Sequence, residues 1–120
     1  MNETQALFTS HAPAHLTTTL ALLREHGACT EGYRKLIDTI RDQFAMSPDE
    51  WGRDRPIPLA AILKSNGLSD AMWCLRAVAD QGEAHRNFCM LLAADFAEQA
   101  LPHFTAWAPS DTRVADCIVA

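Results

Sequence analysis

At 120 residues, 48% of them hydrophobic, the chain is sized for one domain with a core of its own. Its net charge of −5, from 15 acidic and 10 basic residues, argues against a general nucleic-acid binder, which carries a basic stripe. No apolar run reaches the roughly 18 residues of a membrane span. The opening MNETQALFTSHAPAH lacks the basic start and apolar middle of a signal peptide, so a cytoplasmic location is expected.

In chain order, LTTTLALLREHG predicts a helix from Leu16 to about His26, weakened by its threonines and closed by Gly27. TEGYRKLIDTIRDQFAM then sets Tyr33, Leu36, Ile37, Ile40 and Phe44 at helical spacing, with Thr30 as N-cap and Ser47-Pro48 as the stop. SPDEWGRDRPIP, with three prolines, a glycine and five charges, reads as a loop with room for one helical turn at Pro48–Trp51. Pro58 suits the first turn of PLAAILKSNG, and Asn66-Gly67 stops that helix with a left-handed residue.

Ser69 is expected to cap SDAMWCLRAVAD, whose Trp73 and Leu75 are assigned to the core. The longest helical stretch is EAHRNFCMLLAADFAEQALPHFTAW, with Phe88, Leu91, Leu92, Phe96 and Ala100 on its buried face. Pro102 should kink or end it. Val114, Cys117 and Ile118 form a last apolar stripe in DTRVADCIVA. No segment shows the alternation of a strand. The expected fold is therefore all-α, a single irregular bundle of five to seven helices over residues 1–120.

Chemistry-bearing residues are sparse. Cys29, Cys74, Cys89 and Cys117 show no C-x-x-C spacing and read as reduced core thiols. His11 and His15 are separated by Pro13, and no H-E-x-x-H pattern is present. A His85–Cys89 nucleophile at i, i+4 lacks a readable orienting residue or oxyanion donor. Arg76 and Asp95, both set among apolar neighbours, are expected to pair where they are buried. No catalytic residue, metal or cofactor is implied; a small thiol- or metal-dependent enzyme remains the third functional class.

The loop is the candidate partner-binding surface. It offers Asp49, Glu50, Trp51, Arg53, Asp54 and Arg55, with Asp38 and Asp42 as an acidic flank on the preceding helix. An indole in a polar loop either folds back onto the core or serves as an exposed anchor. The bounding prolines would reduce the entropy lost on docking. The acidic residues either solvate the surface or face a basic, nucleic-acid-handling partner.

Three stretches, IPLAAILKSNGLSDAMWCLRAV, AADFAEQALPHF and DTRVADCIVA, resemble a group of small helical proteins of bacteria and their phages that includes immunity proteins of the Imm5 type. The family pattern is a leucine-rich helix running into N-G-L, then D-A-L-W-x-L-R-A, which reads D-A-M-W-C-L-R-A here, then a D-x-A-E helix and a D-x-R segment. The resemblance covers Pro56 to Ala120 and leaves the first half unmatched; in those relatives the last helix continues further. It implies a non-enzymatic protein linked to toxin neutralisation or to mobile elements.

A small acidic helical phage protein without a catalytic set also resembles, in its way of working, the anti-CRISPR inhibitors. The leading expectation is an inhibitor that binds and blocks a bacterial defence nuclease complex. The alternative is an immunity protein against a bacterial toxin. The partner is then a protein, with no direct nucleic-acid or membrane contact, and the chain a monomer or homodimer.

Overall fold

The computed structural model describes residues 1–113, 115 and 116. Seven α-helices occur among them: α1 Glu3–Thr9, α2 Leu20–Glu25, α3 Thr30–Phe44, α4 Pro48–Trp51, α5 Leu59–Asn66, α6 Leu68–Trp73 and α7 Glu83–Trp107. The fold is all-α, with one two-stranded antiparallel ladder, β1 Thr17–Thr18 against β2 Ile57–Pro58. The chain divides into two compact units, residues 1–85 and the part that begins at Arg86. The Val114, Cys117 and Ile118 stripe and the Cys117 thiol lie outside the described residues.

Helix α1 begins where Asn2 accepts the Gln5 N–H at 2.8 Å and the Gln5 side chain accepts the Asn2 N–H at 3.1 Å. This reciprocal box satisfies two end donors and lets a seven-residue helix form. Its Phe8 is buried in the core of the first unit.

The helix expected from Leu16 starts four residues late. Thr17 and Thr18 are extended and pair with Pro58 and Ile57, and Thr19 caps α2 by accepting the Leu22 N–H at 3.1 Å. Consecutive β-branched residues lose rotamer freedom in a helix and suit a strand. The ladder consumes what helix formation would have used. Thr18 is fully buried, and its hydroxyl donates to the Ala77 carbonyl. The Ala79 N–H donates to the Thr17 carbonyl at 2.9 Å. One extended dipeptide thus joins the segments around residues 57 and 78.

Helix α3 is capped by Cys29, one residue ahead of the expected Thr30. Its sulfur accepts the Gly32 N–H at 3.4 Å. The helix ends at Ala45, which takes the left-handed conformation at φ 54°. Leu36 and Ile40 lie one turn apart and enter the core with Leu20, Leu23, Ile57, Ala61 and Ile62.

Pro58 pairs in the ladder and stands at the N-cap of α5. Gly67 sits at φ 94°, ending α5 through an N–H donated to the Leu63 carbonyl at 3.0 Å and opening α6 directly. Ser69 therefore falls inside α6 and is not its cap. Helix α6 also stops earlier than its apolar pattern suggests, tightening into a 3₁₀ turn at Cys74–Ala77. Trp73 packs half-buried against the core, and Leu75 is half-buried.

Helix α7 runs through Pro102, which does not end it. None of its 25 residues is buried. Phe88 and Leu92 are half-buried, whereas Leu91, Phe96 and Ala100 of the expected buried face are exposed.

Candidate functional site

The loop after α3 is more ordered than its composition implies. Ser47 accepts the Glu50 N–H at 3.2 Å and Glu50 accepts the Ser47 N–H at 3.1 Å, boxing the single turn of α4. Arg53 donates to Asp49 at 2.7 Å, one helical turn away, and the carboxylate holds the guanidinium pKa above its ordinary value. The Arg53 carbonyl accepts the Ala21 N–H at 3.0 Å, tying the loop to the start of α2.

Trp51 is not an exposed anchor. It is 2% exposed and stands in the core, with Phe8 edge-on at 5.9 Å and Phe44 tilted at 5.2 Å between ring centroids. Burying so large an apolar surface outweighs what an exposed indole would gain, even though its Nε1 finds no acceptor. Arg55 lies over the indole, 3.7 Å from the ring centroid. The loop surface is therefore charge alone: Asp49, Glu50, Arg53, Asp54 and Arg55 are exposed, as are Asp38 and Asp42 on α3. Asp38 is 3.6 Å from Arg41 on the same helix. Pairs of this kind contribute little to stability, and Asp49 with Arg53 and Asp38 with Arg41 already answer one another.

Arg76 and Asp95, expected to pair where they are buried, are not buried. Both side chains are exposed. Arg76 donates to the Trp73 carbonyl at 3.1 Å and lies over the Trp73 ring at 4.9 Å, while Asp95 accepts from Gln99 at 3.3 Å. Each charge stays in water beside a local partner, which avoids the cost of desolvation.

The three described cysteines differ. Cys29 is exposed, Cys89 is half-buried and Cys74 is buried. Burial pushes the Cys74 thiol up to about 12, with the nearby Asp70 carboxylate adding to it, so this sulfur stays protonated at neutral pH. No group of three His, Cys, Asp or Glu able to hold a metal occurs among the described residues.

Two further features stand out. The first is a cavity of about 210 Å³ in the first unit, between the end of α2 and helices α3, α5 and α6. Leu23, Leu36 and Ile62 line its apolar part; Tyr33 and Trp73 bring rings, and Asn66 and Asp70 bring polar groups. Asn66 donates to the Gly32 carbonyl at 2.9 Å and to Asp70 at 3.0 Å, which locks the carboxylate in place. The residues concerned are scattered over four helices, so only the N-G-L-S-D joint hinted at them.

The second feature is α7 itself. Met90 is 64% exposed, Leu91 71% and Trp107 81%. They lie in a sequence that is apolar around most of the helix, FCMLLAADFA, a pattern that belongs to helices enclosed on several sides. Among the described residues no helix is long and apolar enough to cross a membrane.

Comparison of the chain with family models, with curated proteins and with solved structures finds no match.

Proposed function

We propose that the chain is a non-enzymatic inhibitor, encoded by a phage or mobile element and acting in the bacterial cytoplasm. In this reading it covers a surface of a nucleic-acid-handling defence nuclease complex. The observation that carries the protein-binding part is the exposed apolar surface of α7, where Met90, Leu91 and Trp107 stand in water. Large apolar side chains left exposed on one helix support an interaction role. The net charge of −5 complements a target whose surface is basic because it holds nucleic acid.

The test is interference. The chain is expressed in cells carrying each of a panel of nuclease defence systems, and phage plating is scored. One system should be silenced, and the double variant Met90→Asp, Leu91→Asp should lose the effect while melting like the parent. If every system keeps its activity and the chain instead rescues cells from a co-expressed toxin, the protein is an immunity protein. If the double variant inhibits fully, α7 is not the surface used.

A further inference from the structure

The cavity of the first unit has features of a recognition pocket. Its volume of about 210 Å³ exceeds the roughly 150 Å³ that accommodates benzene and falls below the roughly 300 Å³ at which drug-sized ligand pockets begin. One side chain is the guest of that size. The lining contains a single formal charge, Asp70, and no Lys or Arg. Asp70 has no ion-pair partner among the described residues.

The carboxylate is held in position. Asn66 donates to its Oδ2, and the same oxygen lies 3.1 Å from where a Cβ on Gly32 would be, so a side chain at residue 32 would press on it. Among the described residues, no hydrogen bond involves its Oδ1. The Trp73 and Tyr33 rings also line the cavity. The protein already uses both rings for guanidinium groups, since Arg76 lies over Trp73 at 4.9 Å and Arg24 over Tyr33 at 5.9 Å. These two arginines are exposed and outside the lining, so salt screens their opposition to an incoming cation.

We propose that this pocket receives an arginine side chain of the protein partner, the guanidinium meeting Asp70 and the rings while the methylene stem lies on Leu23, Leu36 and Ile62. Arginine suits the site better than lysine because its planar, weakly hydrated cation stacks on aromatic faces. The charge complementarity is that of one fixed carboxylate in an apolar wall. The proposal rests on the protein-binding reading and adds to it the chemical class of the anchor.

The experiment uses the full chain with N-acetyl-arginine amide and its neutral isostere, N-acetyl-citrulline amide, as probes. The indole N–H signals are followed by NMR, and Trp73 is assigned with Trp73→Phe. The arginine probe should shift the Trp73 signal saturably and bind more tightly than citrulline, by about two- to fivefold, the range of a partly screened ion pair. Asp70→Asn should erase that preference. Equal binding of the two probes, no saturable shift, or a preference surviving in a folded Asp70→Asn variant each overturns the proposal. Should that variant fail to fold, the parent decides. Its arginine preference has to shrink between about 20 and about 500 mM salt, and a salt-independent preference overturns the proposal equally. Because the probe is an amino-acid amide, failure here leaves the inhibitor reading intact, and failure of the interference assay leaves the pocket result intact.

Discussion

The first unit and α7 spend similar apolar residues in opposite ways. In residues 1–85, Phe8, Leu20, Leu36, Ile40, Trp51, Ile57 and Ile62 close on one another with almost no exposed surface. In α7, Met90, Leu91 and Trp107 are as apolar and stand largely in water. Composition alone does not say which outcome follows. Within the first unit, neighbouring elements arrive from elsewhere in the chain to cover the apolar side. The first unit gathers its core from helices, a short ladder and a loop.

The largest test of this contrast compares two tryptophans. Trp51→Ala should cost roughly 3–5 kcal/mol of stability, because it removes a ring packed on Phe8 and Phe44. Trp107→Ala should change stability by less than about 0.5 kcal/mol. Urea unfolding of both variants checks this. Equal losses would remove the distinction between the two regions.

A smaller effect concerns the joint that closes the first unit. Thr18→Val keeps the shape of the side chain and leaves the Ala77 carbonyl without its buried donor. The expected loss is about 1–3 kcal/mol, again read by urea unfolding. A neutral result would mean that the hydroxyl is dispensable to the joint.

Much of this division follows from what local patterns can carry. Helices α3 and α5 were readable because their periodicity and stop signals act within a few residues, as with Ile40 and Gly67. The ladder was not, since two residues per strand are too few to alternate and the pairing of Thr18 with Ile57 spans the sequence. The threonine run was its only local trace. Trp51 shows the same limit in the candidate site. Its neighbours in sequence are charged, while the residues that bury it, Phe8 and Phe44, lie outside its loop. For α7 the apolar pattern predicted a helix correctly, but a pattern cannot report what covers it. Asp70 in the pocket was hidden for a similar reason: its partners Gly32 and Asn66 come from other helices.

Cys74 gives a pH-dependent test inside the core. Its folded-state pKa lies at about 12, raised above the ordinary thiol value near 8.5. A raised pKa means that the folded chain keeps the proton when the unfolded chain has lost it. The associated stability is complete below the unfolded pKa and is lost as pH rises from about 9 towards 12. Urea midpoints of the parent and of Cys74→Ala, measured across that range, should converge or cross. Parallel curves would show that this thiol is not shielded.

The smallest effect belongs to the loop. Asp49→Asn breaks the contact with Arg53, both of them at the surface. The melting temperature should stay where it was, because screened surface pairs contribute little. A clear drop would promote the loop from decoration to support.

The Thr17–Thr18 dipeptide has a consequence for synthesis. It bonds to residues 57 and 58 through the ladder and to residues 77 and 79 through its hydroxyl and carbonyl. None of these partners has emerged while the first quarter of the chain is leaving the ribosome. The buried threonines therefore wait, unpaired and hydrated, until Ala79 has cleared the exit tunnel, by which time α5 and α6 have also emerged. This joint closes late, once the segments that bond the dipeptide have emerged.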